Sequence, residues 1–331
     1  MVQIKTQLLL VFLAFASCSE NKFTKLKGKT MGTYYEIQYS AAHDYKPEID
    51  SILNSFVAAA STYDSTSELS LFNQSGTLQF KSPHLLRMLK IAKQYHVETQ
   101  GAFEPTLMPL IKAHGFSKAK RQVLPSETID ALLSIVSFDY ISYDALGMRT
   151  NKDGVQLDLS AMGEGYAIDI ISNFLEGKNI KNYKVEIGGE MKCKGRNDKG
   201  EVWLIGVENP SDLKTGRLIT RTHLENEAIS TSGTSRKFYL DGDGNKRPHI
   251  INPKTGYPIQ NNLLSVTVKD SLAVRADVFA TALMVMGLDS AKKFLGTTDV
   301  EAFIVYQENG KVLSWNTPGF VSTQDRSVTL R

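Results

Sequence analysis

The stretch Asp158-Leu159-Ser160-Ala161-Met162-Gly163-Glu164-Gly165-Tyr166-Ala167-Ile168-Asp169 sets two glycines into the opening turns of a helix-like segment. Its apolar residues Met162, Tyr166, Ile170 and Phe174 recur at helical spacing. Each glycine inside a helix costs about 1 kcal/mol against alanine. A pair of them therefore has a use where something must approach the backbone closely, such as a phosphate or a flat ring. An ordinary strand-to-helix turn is the other reading, and the stretch alone leaves both open. Asp158 or Ser160 is placed to cap the helix, and the Asp158 carboxylate would sit at its positive end. Upstream, Val155-Gln156-Leu157 reads as a strand, with Asn151-Lys152-Asp153-Gly154 as the turn of a strand pair that delivers the chain to Asp158.

The remaining pattern mixes helices with hairpins. Tyr35-Ile37-Tyr39 alternates as a strand does, whereas Ile49, Ile52, Leu53 and Phe56 follow a helical period. A serine-rich loop runs from Ser61 to Asn73. Ser82-Pro83 starts a helix with Leu85, Leu86, Leu89 and Ala92 inward, and Ser126 caps another through Ile129, Leu132, Leu133 and Val136. The second half is mostly strands separated by turn signals at Gly188-Gly189, Asn197 to Gly200, Asp241 to Asn245 and Asn252 to Gly256. A last helix begins near Ala276-Asp277. Hairpins interspersed with helices argue for an α+β fold with mixed and antiparallel sheets and packed helices, not a doubly wound parallel sheet.

At 331 residues, 42% hydrophobic and 22% charged, the chain has ample material for a large core. A net charge of +3 with no basic stripe gives no sign of a nucleic-acid partner. The N-terminus reads as an address. Lys5 precedes an apolar run from Leu8 to Ala16, too short to span a bilayer, and Phe15-Ala16-Ser17-Cys18 resembles a bacterial lipobox with Phe15 an unusual residue at its position. On that reading residues 1–17 are a signal peptide, Cys18 is lipidated, and 18–25 form a tether. One catalytic unit then fills 26–331, held at the bacterial cell membrane on the periplasmic side. Cys193 would be the one remaining thiol, so the fold must stand without an intramolecular disulfide.

Asp277 and Thr281 lie one helical turn apart, a spacing at which two oxygen side chains can hold a hard cation such as Mg²⁺. The plain alternative is an N-capping aspartate and a threonine bonded back to its own helix. No His-x-x-x-His or Cys-x-x-Cys pair suggests zinc, and no Gly-x-Ser-x-Gly elbow is present. Gly28-Lys29-Thr30 lacks the upstream glycine of a phosphate loop, because Phe23 stands there. Asp241-Gly242-Asp243-Gly244-Asn245 starts like a calcium loop, but Lys246 and Asn252 occupy positions that need Gly and Glu, so a hairpin is expected.

A set of segments in one order resembles the ApbE family of FAD:protein FMN transferases. They are Met31-Gly32-Thr33-Tyr34, Ser61-Thr62-Tyr63 with Ser67 to Asn73, and Gly101-Ala102-Phe103-Glu104-Pro105-Thr106. Asp158 to Asp169, Ile187-Gly188-Gly189-Glu190, Thr231-Ser232-Gly233, His249 to Gly256, and Ala276-Asp277 through Thr281-Ala282 complete the set. The resemblance implies a T-fold-like catalytic unit that uses FAD and Mg²⁺ to attach FMN to a Thr or Ser of a target protein, releasing AMP. The implied partner is a flavin-acceptor subunit of a membrane redox complex. By the same resemblance Met31, Tyr63, Ala102, Phe103, Glu104, Asp158, Glu164 and Ile251 contact FAD. Asp277, Thr281 and the Ala161 carbonyl hold the metal, and His249 is the base for the target hydroxyl. Glu164 stands where many members have Lys, and Glu104 where Asp is commoner. Tyr63 and Phe103 are candidates to stack on a ring system, or simply core residues. The same site would serve an FAD pyrophosphatase, and a flavin-carrying lipoprotein without activity is the third possibility.

Overall fold

The computed structural model describes residues 22–116, 124–235, 238–242, 244–320 and 322–324. The expected signal segment and the lipidation site Cys18 lie outside them. Strand begins at Thr24, so the expected tether gives way to the fold two residues early.

The opening hairpin joins β1 (Thr24–Thr30) to β2 (Thr33–Tyr39), and the strand alternation of Tyr35, Ile37 and Tyr39 puts all three inside. Gly28-Lys29-Thr30 is thus the end of a strand. Next come α1 (Lys46–Ala60), α2 (Glu68–Ser75), β3 (Thr77–Gln79) and α3 (Pro83–Glu98). The expected serine-rich loop is half helix: the Ser67 side chain accepts from the Ser70 N–H, and this cap starts α2. In α3 the inward face takes Met88 along with Leu85, Leu89 and Ala92, whereas Leu86 is half-buried.

The middle of the chain holds α4 (Met108–Ala113), α5 (Ser126–Leu133), β4 (Ile141–Tyr143) and β5 (Gly147–Thr150). Ser126 is the first residue of α5 and Pro125 its N-cap, and the helix stops before Val136. β5 pairs with β3 and β4, so Asn151 to Gly154 is not the turn of a strand pair, and residues 155–159 form no strand. Their backbone is held otherwise. The Asn73 side chain accepts from Leu157 N–H and donates to Leu157 O.

After them come α6 (Gly163–Gly177), β6 (Tyr183–Ile187), β7 (Glu190–Lys194), β8 (Trp203–Glu208), β9 (Leu218–Leu224) and β10 (Glu227–Gly233). The expected hairpin at 241–245 joins β11 (Phe238–Leu240) and β12 (Lys246–Pro248). Then follow β13 (Leu263–Asp270), α7 (Ala273–Met286), α8 (Leu288–Leu295), β14 (Glu301–Glu308), β15 (Lys311–Asn316) and β16 (Ser322–Gln324).

An eight-stranded sheet in the order β1-β2-β6-β7-β10-β13-β14-β15 organises the molecule, and each of its neighbouring pairs is antiparallel. Its two faces are both covered. Ala228, Val266, Val268, Ala302 and Ile304 look toward α1, α3, α6 and α7, where the main core lies. Cys193, Ile229, Phe303 and Val305 pack instead with Trp203, Ile205 and Val207 of the three-stranded sheet β8-β9-β16. A third, small cluster of Leu110, Ile129 and Ile251 stands apart under α4 and α5. The fold is α+β, as the mixture of hairpins and helices requires.

Candidate active site

The two helices α6 and α7 meet where Gly165 faces the start of α7. A Cβ on Gly165 would lie 2.4 Å from the Ala273 carbonyl oxygen and 2.7 Å from Val274 Cα, so only glycine permits this approach. Close helix packing is therefore what one of the two glycines serves. Gly163 has no packing neighbour where a Cβ would stand, although the residue itself is buried. The approach also lets Asp277 reach across. Its Oδ2 accepts from the Gly165 N–H at 3.1 Å, in the first turn of α6, where the helix dipole favours negative charge. Asp277 is the fifth residue of α7 and 4% exposed, so it is no N-cap of its own helix. The N-terminus of α7 is capped from outside: Asp169 of α6 accepts from the Val274 N–H at 3.0 Å and pairs with Lys192 of β7 at 2.8 Å.

The remaining groups gather on this seam. Ala161 sits in a short 3-10 turn, Ser160–Met162, packed against α7 just ahead of α6. Thr281, half-buried and one turn beyond Asp277, is bonded to Ser232 of β10, with the two hydroxyl oxygens 2.8 Å apart. The Gly188-Gly189 turn between β6 and β7 has both residues at positive φ, and Gly188 lies against the Glu164 side chain and Thr33. The next residue is Glu190, whose buried carboxyl is within hydrogen-bonding reach of Asp277. Asp277 thus feels two further carboxyl groups, Glu190 within hydrogen-bonding reach and the half-buried Glu164 through its charge. Burial first, then the charges of Glu190 and Glu164, holds the Asp277 carboxyl well above the usual range. Burial and Glu164 push Glu190 up to about 8. Among the described residues, no Lys or Arg forms an ion pair with Asp277 or Glu190, and the buried Ser230 hydroxyl adjoins the Glu190 carboxyl and offsets part of its rise. Clustered carboxyls whose ionisation is suppressed by burial and mutual repulsion, beside hydroxyl and carbonyl oxygens, are hard donors that a divalent cation could take up with loss of their protons. The donor set fits Mg²⁺.

The other expected residues surround this seam. Met31 occupies the β1–β2 turn with φ at 48°, left-handed for a non-glycine residue, a strain tolerated where surrounding structure fixes it. The hairpin is tied to the double-glycine turn by Gly188 N–H donating to Tyr34 O. Asp158 accepts from the Ser160 N–H and hydroxyl from just ahead of the 3-10 turn, whose N-cap is Leu159; it does not cap α6, which has no side-chain cap. Its own N–H donates to Pro105 O, which joins it to the Gly101–Thr106 segment.

In that segment Ala102 and Phe103 are core residues, and Phe103 is only 3% exposed. Its ring is thereby packed away, whereas Tyr63 is 69% exposed on the 61–67 loop. The Glu104 carboxylate is turned inward, accepting from Thr106 N–H and hydroxyl and lying 3.4 Å from His96 Nδ1. His249 is half-buried on the bend after β12, and Ile251 is buried in the small cluster under α4 and α5. Behind them, His114 bonds to the Gly256 carbonyl at 2.7 Å, and burial lowers its pKa.

Glu190, Ser230 and Ser232 were not assigned roles from sequence. Ser232 and Glu190 stood in segments recognised by resemblance, but nothing local to them signals burial against another helix.

A family model described as the ApbE family matches residues 31–304. The FAD:protein FMN transferase of Haemophilus influenzae is 32% identical over 91% of this chain and 92% of its own length. That of Vibrio cholerae is 36% identical, covering 79% of this chain and 81% of its own. Among solved structures, the flavin transferase ApbE of Vibrio cholerae superposes with a TM-score of 0.80 at 32% identity, covering 90% of this chain and 98% of that one. The apo flavinyl transferase ApbE of Pseudomonas stutzeri gives 0.82 at 28%, covering 90% and 95%.

Proposed function

The chain belongs to the ApbE family and is a FAD:protein FMN transferase, and on that premise we propose how its residues carry out the transfer. The reaction joins the FMN half of FAD to a Thr or Ser hydroxyl of a target redox subunit. The hydroxyl oxygen bonds to the phosphorus of the FMN half, the bond from that phosphorus to the bridging oxygen breaks, and AMP leaves with the electron pair. His249 takes the hydroxyl proton, a role typically worth 10²–10⁴-fold. Asp277, Thr281 and the Ala161 carbonyl would hold Mg²⁺. When bound, the cation neutralises charge on the pyrophosphate and on the leaving AMP. The observation that carries this reading is the buried Asp277 carboxyl at the α6 N-terminus, close to two further carboxyl groups and, among the described residues, with no positive side chain paired to it.

The chain's other residues bind and orient. The strained turn at Met31 offers a contact to FAD, and Tyr63 an aromatic face that is 69% exposed. Asp158, Glu164 and the backbone of the 102–104 and Ile251 segments complete the pocket. Incubation with FAD, Mg²⁺ and a candidate acceptor subunit should yield an acceptor one FMN phosphoryl group heavier by mass spectrometry, with AMP formed one for one. AMP formed alongside free FMN and an unmodified acceptor would instead make the enzyme a pyrophosphatase.

The same reading places the enzyme at the membrane surface, through lipid on Cys18. Cys18→Ser should then fractionate as soluble protein or accumulate as uncleaved precursor. Equal release of wild type and variant on cell lysis would remove the anchor.

A further inference from the structure

Ser232 lies outside the metal and flavin sets given above, yet its side chain is what Thr281 touches. Among the described residues the Thr281 hydroxyl has one hydrogen-bond partner, Ser232 Oγ at 2.8 Å. A threonine inside a helix usually bonds back to a carbonyl one turn earlier in its own helix. Here the hydroxyl is turned across to the sheet instead. Strand alternation places Ser232 to receive it. Ala228 of β10 packs in the core under the helices, so Ser230 and Ser232 project from the same face, the one that α7 covers. The Ser232 backbone is fixed in register opposite Val266 of β13, and the Thr281 backbone lies well inside α7. Two hydroxyls on rigid elements thus meet with little freedom besides their own rotors.

A threonine hydroxyl carries one hydrogen and two lone pairs. A hard cation takes a lone pair, so the hydrogen must point elsewhere. Between two hydroxyls the bond can run in either direction. With a cation on Thr281 only one direction is left, Thr281 donating and Ser232 Oγ accepting. We propose that Ser232 is a positioning residue of this enzyme: it accepts the Thr281 hydrogen and so keeps a lone pair of the Thr281 oxygen for Mg²⁺. Partners of this kind typically change metal affinity by about 10–100-fold. The proposal rests on the metal reading of Asp277 and Thr281.

The test is calorimetric titration of Mg²⁺ into FAD-loaded protein without acceptor, with thermal unfolding as the control for folding. Ser232→Ala should weaken Mg²⁺ binding about tenfold while its unfolding temperature stays near wild type. Ser232→Thr and Ser232→Val share one shape and differ in the hydroxyl, so steric effects cancel between them. Ser232→Thr should bind Mg²⁺ about tenfold more tightly than Ser232→Val. In a double-mutant cycle, Ser232→Ala should cost nothing further once Thr281→Ala is in place, because Ser232 acts through Thr281. Wild-type affinity in Ser232→Ala, or equal affinity in Ser232→Thr and Ser232→Val, would overturn the proposal. A Ser232→Ala loss that persists in the Thr281→Ala background would overturn it too, since Ser232 would then act by another route. Should Ser232→Ala fail to fold, the comparison of Ser232→Thr with Ser232→Val decides. Asp277→Ala separates the levels: undiminished Mg²⁺ binding there would sink the metal reading and this proposal with it. Loss in Asp277→Ala and Thr281→Ala with none in Ser232→Ala would sink this proposal alone.

Discussion

The α6–α7 seam and the lobe around His249 are built in opposite ways. At the seam, Asp277 sits where two helices pack over an eight-stranded sheet, bonded to α6, while Thr281 one turn on is bonded to β10. The His249 lobe rests on the β11–β12 hairpin, the turn at 252–256 and a core of three fully buried apolar residues, Leu110, Ile129 and Ile251. Phe238 and Leu240 of that hairpin remain exposed. The difference matches what the proposed roles would ask of each region. A buried charge that holds a cation needs a low-dielectric, pre-organised frame, since misplacement forfeits electrostatic stabilisation. A base that meets a hydroxyl carried on another protein needs an accessible, adjustable support.

The sharpest way to break this comparison is Asp277→Ala. With the charged donor gone, FMN transfer should fall on the order of 10³-fold, and Mg²⁺ binding by calorimetry should weaken with it. Full activity at ordinary Mg²⁺ concentration would return Asp277 to a purely structural role.

His249→Ala addresses the other region and should act on rate alone. FAD affinity should stay near wild type while single-turnover transfer slows about 10²-fold, with partial recovery as pH rises. Lost FAD binding with unchanged rate at saturation would make His249 part of the pocket wall.

A smaller effect separates the two frames through their glycines. Gly165→Ala drives a methyl into α7 backbone, which cannot swing aside, and should cost about 1–3 kcal/mol in denaturant unfolding while weakening Mg²⁺ binding. Gly256→Ala meets flexible Ile129 and Leu133 side chains and a φ of 72°, costing about 1–2 kcal/mol and leaving Mg²⁺ binding unchanged. Equal effects of both variants on the metal would show the two regions to be one mechanical unit.

The smallest effect concerns pH. Burial lowers the His114 pKa, against a partial rise from its bond to Gly256 O. A histidine lowered on folding lends its stability above the unfolded pKa, near 6.5. That stability is lost as pH falls, because the unfolded chain takes up a proton that the folded one resists. His84 is lowered too, but it is packed on Tyr166 in the main core. Amide exchange over residues 250–257 should therefore lose more protection between pH 7.5 and 5.5 than α6 and α7, since a small cluster opens locally at lower cost. Uniform loss across the chain would mean that the lobe has no independent opening.

Much of this organisation was legible along the chain. Period-2 alternation in Tyr35, Ile37 and Tyr39, helical spacing in α1 and α3, and the turn chemistry at 188–189 and 241–245 are local properties, and each produced the element expected. So did the pairing of Asp277 and Thr281 on one helical turn. Residues 155–159 misled because a short apolar run fits a strand equally well, and the amide of Asn73, far away in sequence, took the backbone bonds instead. The serine-rich loop misled because its helix is started by a Ser67 cap and held by Leu69 and Phe72 in the core, not by strong propensity.

What only the tertiary structure decided is which neighbours those residues meet. The sequence determined an α+β chain with an oxygen pair on an apolar helix and a glycine pair at the mouth of another. It did not show that Gly165 exists to admit α7, that Asp169 caps a helix more than a hundred residues away (|i−j| = 105), or that Glu190 faces Asp277. Periodicity reports how a residue sits on its own element, because backbone geometry repeats locally. The field at a buried carboxyl is set by charges from α6, β7 and α7 together, and these become neighbours only when the sheet and helices close over them.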